Sequence, residues 1–263
     1  MTVIKVACIQ MDISYCNKKN NLTNALCHAK SALDKGAKII VFPEVFTTGF
    51  CYEKIEQVSE NYPYNTIQQL IAFSRELECI LIGSIIEKKY MNGKIYYYNL
   101  GFCIDTGEIS GYYRKIHPFT EENKFFTGGN KINNLVTKNN SLTIGLEICY
   151  EVRFPEIARK MTLDGADILV TIAEFPNPRK DIWTTLVKAR AIENQIPHIA
   201  CNRIGQDPRK SYFGGSIIID AEGKTVSQAD DKETILIGDI NLNETKNVRR
   251  KIPVFNDRRP QLY

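Results

Sequence analysis

Apolar residues along the chain recur with two periods that take turns, which predicts strands alternating with helices. Residues 3–10 (Val3-Ile4-Lys5-Val6-Ala7-Cys8-Ile9-Gln10) read as a buried strand. Residues 20–35 place their apolar positions at helical spacing, and Gly36 stops the pattern. Glycine is expected there because a helix often ends in a left-handed residue. Residues 38–42 form a short apolar strand that Pro43 closes. A helix over 65–78 and strands over 79–86 and 94–104 follow, the last rich in tyrosine. Strands at 142–148 and 167–173 then enclose a helix at 154–164. A helix over 181–194 precedes strands near 197–201 and 215–220. Strands that are apolar on both faces imply an α/β sheet covered by helices.

One stretch echoes another. Leu33-Asp34-Lys35-Gly36-Ala37-Lys38-Ile39-Ile40-Val41 resembles Leu163-Asp164-Gly165-Ala166-Asp167-Ile168-Leu169-Val170. Shared turn chemistry accounts for part of this; pseudo-symmetry between two α/β halves is the sharper reading. No linker-like segment interrupts the chain, so residues 1–263 are read as a single domain.

Composition narrows the function classes. With 43% hydrophobic and 24% charged residues, the chain suits an ordinary globular protein rather than a disordered one. The net charge of +4 is small and dispersed, and the densest basic run, Arg249-Arg250-Lys251, reads as a solvated surface. No nucleic-acid partner is expected. No apolar run is long enough to span a bilayer, so no membrane partner and a cytoplasmic location are expected. The eight cysteines (8, 16, 27, 51, 79, 103, 149 and 201) form no CxxC pair, and a chain of this size needs no disulfide staples. Most of them read as small buried hydrophobes. With His28, His117 and His198 they make no metal-ligand spacing, so no metal site is expected.

Four residues suggest chemistry by position. Cys149 follows an apolar strand and precedes Tyr150-Glu151-Val152-Arg153-Phe154-Pro155-Glu156, a place where a sharp turn exposes a nucleophile and its backbone N–H groups. Glu44 follows Phe42-Pro43 at another strand tip, partly desolvated and suited to general-base work. Lys115, within Tyr112-Tyr113-Arg114-Lys115-Ile116-His117, offers positive charge to an oxyanion, and Glu122 is placed to orient it. Taken singly, each has an ordinary alternative: a structural cysteine, a capping glutamate, a surface lysine and a surface acid.

Together, Phe42-Pro43-Glu44, Tyr113-Arg114-Lys115-Ile116-His117 and the segment from Ile148 to Glu156 resemble the three motifs of the nitrilase superfamily of carbon–nitrogen hydrolases. The resemblance extends to Gln10, to Trp183 with Ala189-Arg190-Ala191-Ile192-Glu193-Asn194, to Asn202-Arg203-Ile204-Gly205, and to Gly214-Gly215-Ser216. It implies a four-layer αββα sandwich that dimerises across a helical face, and no cofactor. Glu44 becomes the general base, Lys115 the oxyanion-stabilising lysine, Cys149 the nucleophile and Glu122 the supporting acid. The backbone N–H of Tyr150 would also face the oxyanion. Many amidase-like members have Asp where this chain has Glu151. A catalytic thiol of low pKa is expected to label fastest among the eight.

Residues 174–183 (Glu174-Phe175-Pro176-Asn177-Pro178-Arg179-Lys180-Asp181-Ile182-Trp183) and the tail from Ile252 look like those of ω-amidase-like members, which hydrolyse ω-amides of 2-oxo acids. A small carboxylate-bearing amide would be the substrate, paired with Arg153 or Arg179, with Phe175 lining the pocket. Both arginines also admit structural roles, and Phe175 a core role. N-carbamoyl amine or amino-acid hydrolysis, nitrile hydrolysis and an inactive small-molecule-binding relative are the rival readings. Residues 247–263, with Phe255, Arg258, Arg259 and Tyr263, would cross the interface of a homodimer or fold back on their own subunit.

Overall fold

Along β1 (Val3–Gln10) successive side chains enter two different cores: Val6 and Cys8 pack in one, Ala7 and Ile9 in the other. That two-residue period requires a sheet buried on both faces. The structure, a computed structural model, describes residues 3–139 and 141–262. After β1 come α1 (Lys18–Asp34), β2 (Ile39–Val41), α2 (Ile55–Val58), α3 (Asn65–Glu76), β3 (Ile80–Met91), β4 (Lys94–Asp105) and β5 (Glu108–Arg114). The chain continues through β6 (Leu135–Val136), β7 (Thr143–Ile148), α4 (Pro155–Leu163), β8 (Ile168–Ala173), α5 (Lys180–Asn194) and β9 (His198–Asn202). It closes with β10 (Ile204–Gln206), β11 (Ser211–Phe213), β12 (Ile217–Ile219), β13 (Thr225–Gln228), β14 (Thr234–Asn241), α6 (Leu242–Lys251) and α7 (Val254–Asp257).

Two six-stranded sheets form, ordered β14-β1-β2-β3-β4-β5 and β13-β12-β9-β8-β7-β6. The second, read backwards, repeats the first pair by pair: antiparallel, parallel, parallel, antiparallel, antiparallel. The echo seen in the sequence is therefore topological. Gly36 after α1 and Gly165 after α4 both adopt positive φ, 87° and 92°. Helices α1 and α3 cover one sheet through Leu22, Ala25, Ala29, Ala32, Ile67 and Leu70. The other carries α4 and α5 through Ile157, Ala158, Met161, Trp183, Val187 and Ala191. Between the sheets Gly101 makes room for the facing layer: a Cβ there would stand 2.7 Å from Leu146 Cδ2, which would have to shift. Two large sheets flanked by helices match the expected α/β layering.

Cysteine usage differs in one respect from the expectation. The sulfurs of Cys16 and Cys51 are bonded, joining the loops that follow β1 and β2. The other six cysteines are free; five are buried and Cys27 is exposed. Each large aliphatic side chain buried in these cores contributes roughly 1.5–3 kcal/mol relative to exposure, so the fold does not depend on that one bond. Among the described residues no helix is long and apolar enough to cross a membrane.

A polar chain lies beneath α5. Glu147 Oε2 is 3.2 Å from Thr171 Oγ1, Thr171 Oγ1 is 2.7 Å from His198 Nε2, and His198 Nδ1 is 3.0 Å from the Val187 carbonyl. One proton per bond satisfies this chain when Glu147 donates to Thr171, Thr171 to His198, and the neutral imidazole to Val187. Burial pushes the Glu147 acid up to about 8 and the His198 imidazole down to about 4, consistent with that arrangement. Between pH 4.5 and 8 the folded state therefore holds a proton at Glu147 that the unfolded chain releases, so this group's stabilisation is lost as pH rises through that window. Glu147→Gln keeps a donor to Thr171 and removes the titration. The melting temperature of this variant is expected to fall less between pH 5 and 8 than that of wild type; equal slopes would contradict the assignment.

Candidate active site

Three strand ends converge. Glu44 follows β2 by way of Phe42-Pro43, Lys115 continues β5, and Cys149 continues β7. Cys149 has φ 52°, a left-handed conformation that a residue with a Cβ rarely adopts. Such strain persists where the surroundings fix it, often at functional sites. Here Glu151 supplies the fixing. Its Oε2 accepts from the Ile148 N–H at 2.8 Å, and its Oε1 accepts from the Ile116 N–H at 2.7 Å and from the Tyr113 hydroxyl at 2.9 Å. One buried carboxylate thus ties the turn at Cys149 to the segment carrying Lys115. Glu151→Ala is expected to lower kcat on the order of 100-fold, the scale of a small misplacement of reacting groups. An unchanged kcat in steady-state ammonia release would show the brace to be dispensable. The longer side chain at 151 reaches all three donors, and His117 Nδ1 stands 3.8 Å from it.

Lys115 is 1% exposed, and its Nζ donates to Glu44 Oε1 at 2.7 Å and to Glu122 Oε2 at 2.8 Å. Two carboxyls thus hold the ammonium, Glu122 through both oxygens, with Oε1 at 3.1 Å. Burial alone would lower the lysine pKa, but the carboxylates of Glu122 and Glu44 outweigh it and hold it well above the ordinary value. Burial raises Glu122 to about 7 against the pull of Lys115. Glu44 is fixed by three donors: Lys115, Asn99 Nδ2 at 2.8 Å and the Glu174 N–H at 3.0 Å. Cys149 lies within hydrogen-bonding reach of Glu44, and burial followed by the charge of Glu44 pushes its thiol well above the ordinary value. The expected low-pKa thiolate is not found. The thiol holds its proton at rest, so fastest labelling among the cysteines is no longer expected of it.

Cys149 and Glu122 open onto a cleft lined by Phe50, Tyr52, Phe119, Tyr150, Glu174 and Tyr212, and also by Arg153, Phe175, Arg179 and Lys210. The structure therefore brings the candidate catalytic and substrate-binding residues to one place. Arg153 lies 5.7 Å from the centre of the Phe175 ring, and Arg179 lies 5.6 Å from that of Phe119. Phe175 is held by Asn202, whose side chain bonds its backbone N–H at 2.7 Å and its carbonyl at 3.1 Å. Trp183, 5.2 Å from the Phe175 ring, anchors to the Gly215 carbonyl at 2.9 Å. Gln10 accepts from the Ser216 N–H at 2.9 Å, and Arg190 donates to the Val152 carbonyl at 2.9 Å. These residues frame the site without entering it.

Sequence reasoning did not single out Asn99, Lys210 or Tyr212 at all, and it cited Glu174 only as part of a motif. Glu174 had a signal, being the acid that ends the strand whose counterpart ends near Glu44. Lys210 and Tyr212 had none, because they reach the cleft on the β10–β11 hairpin.

An acid, an ammonium and a thiol buried together at the strand tips of paired α/β halves define a nitrilase-type hydrolase fold. The chain belongs to the carbon–nitrogen hydrolase family, whose model matches residues 5–250. It is 34% identical to the 2-oxoglutaramate amidase of Bacillus subtilis, over 98% of this chain and 98% of that one. It is 31% identical to the omega-amidase NIT2 of Homo sapiens, over 100% and 98%. Nit3 of Saccharomyces cerevisiae, a member of branch 10 of the nitrilase superfamily, superposes with a TM-score of 0.90 at 27% identity, covering 98% of this chain and 97% of that one. The protein is an amidohydrolase of carbon–nitrogen bonds outside the peptide backbone, as the sequence motifs led one to expect.

Proposed function

We propose that the protein hydrolyses the terminal amide of a small linear ω-amide, best an ω-amide of a 2-oxo dicarboxylic acid, to carboxylate and ammonia. The observation that carries this reading is the Lys115 ammonium clamped between Glu44 and Glu122 beside the Cys149 thiol. Glu44 accepts the thiol proton as Sγ attacks the amide carbon, and the oxyanion rests on the Lys115 ammonium and the backbone N–H of Tyr150. Protonated Glu44 passes that proton to departing ammonia, leaving a thioester. Water then attacks as Glu44 takes its proton, and the proton returns to sulfur when the acid leaves. A thiol that rests protonated makes the base obligatory in this scheme.

Arg153, Arg179 and Lys210, on the cleft wall, suit a substrate carboxylate. The names of the Bacillus and human relatives support the same class. Ammonia release from a panel of ω-amides, carbamoyl amines and nitriles tests it: preferential turnover of 2-oxo ω-amides is expected, and preference for a carbamoyl amine or nitrile overturns it.

Residues 1–263 are proposed to act as one catalytic unit, in the cytoplasm, as a homodimer joined across α4 and α5. Leu163, Ile192 and Ile252 are exposed on or near these helices. The tail packs on its own subunit where described, with Arg159 of α4 5.0 Å from the Phe255 ring centre, while Tyr263 lies outside the described residues. Light scattering that gave a monomer mass, or fractionation that placed the protein outside the cytoplasm, would refute those parts.

A further inference from the structure

Glu174 is a buried acid in the cleft that the proposed mechanism leaves unused. Its Oε2 meets Arg203 NH1 at a long 3.4 Å, and Arg203 has better partners in Asp12 at 3.1 Å and the Ile13 carbonyl at 2.9 Å. Its Oε1, buried, has no hydrogen-bond partner among the described residues. Tyr212 lies alongside, but its hydroxyl is committed to Asp207 at 2.6 Å. An unsatisfied buried oxygen destabilises a fold and is rare, so one that lines an active-site cleft points to a ligand. Meanwhile the Glu174 backbone N–H bonds Glu44, and the residue lines the same cleft as Cys149.

We infer that Glu174 is a specificity-determining residue whose free carboxyl oxygen donates a hydrogen bond to a keto oxygen on the substrate chain, selecting 2-oxo ω-amides over their 2-amino and unsubstituted counterparts. The inference rests on the ω-amide reading above. Burial pushes this acid up to about 8, outweighing Arg203, and the carboxylates of Glu44 and Asp207 push the same way. At neutral pH it is therefore a neutral donor, matched to a carbonyl acceptor and without the charge an ammonium would need. Its neutrality also spares an anionic substrate a repelling charge beside Arg153, Arg179 and Lys210.

The test measures kcat/KM of the purified enzyme for three ω-amides of equal length, bearing 2-oxo, 2-amino or no substituent. Wild type, Glu174→Gln and Glu174→Met are compared. Wild type should prefer the oxo amide. Glu174→Gln keeps an N–H donor and should hold that preference within about threefold, while Glu174→Met should shrink it by on the order of tenfold. The wild-type oxo-amide profile should also decline near pH 8, and this limb should be absent in Glu174→Gln. If all three amides fall together in both variants, or if Glu174→Met keeps the wild-type preference, Glu174 is only a partner of Arg203 and the inference fails alone. Wild type that hydrolyses none of the three amides defeats the ω-amide reading as well, and shows this before any variant is made.

Discussion

Cys149→Ala should abolish ammonia release, with kcat falling by on the order of 10⁴-fold or more, the scale seen when a covalent nucleophile is removed. The thiol sits in a turn fixed by Glu151 from one side and Arg190 from another, and both contacts remain when only Sγ is lost. The variant should therefore fold and bind substrate with KM little changed. Loss of kcat at constant KM would place the effect in the chemistry, whereas a parallel loss of melting temperature would indicate a structural cysteine. Full turnover by the variant would remove the thiol from the mechanism.

Lys115→Met should be damaging in two ways that can be measured apart. Removing one member of a buried, hydrogen-bonded charge cluster costs about 3–5 kcal/mol, because the partners are left uncompensated. Here the partners are the Glu44 and Glu122 carboxyls, both buried. The cost should be largest at pH 8, where the Glu122 carboxyl favours ionisation, and smaller at pH 5, where Glu122, already raised to about 7 with the lysine present, binds a proton. Loss of one oxyanion donor should independently lower kcat on the order of 10²–10³-fold. Adding Glu122→Gln to Lys115→Met should restore part of the stability and none of the rate. If the double variant were no more stable than the single one, the cluster would not be the source of the cost.

Much of the fold was legible because the strands are apolar on both faces. Val6 and Cys8 face one core and Ala7 and Ile9 the other, so β1 reads as buried from sequence alone. β14 was not read from the sequence, and its pairing with β1, which sets Lys5 opposite Asp239, joins residues 234 apart that no local pattern connects. β5 was hidden for a different reason: its residues are mostly half-buried, with Gly111 in mid-strand, so it carries no strong period. At the site, Glu44 and Cys149 were legible as strand-end residues and Lys115 through its aromatic-rich motif, all three in order along the chain. Their protonation was not. The raised thiol of Cys149 follows from burial against Glu44, a contact made by two strands from different halves of the chain. The unsatisfied oxygen of Glu174 is likewise visible only once Arg203, Asp12 and Tyr212 are in place. Sequence pattern shows where a carboxyl sits on a strand; its hydrogen-bond account needs the neighbours.

The central claim is a covalent thioester at Cys149 formed with Glu44 as base. Mass spectrometry of enzyme quenched in acid during turnover of an ω-amide tests it directly. The predicted result is a protein heavier by the substrate less ammonia, with the added mass on the peptide containing Cys149 and absent from Cys149→Ala. Turnover at an undiminished rate in Cys149→Ala, or an acyl group mapped to a residue other than Cys149, would contradict the account.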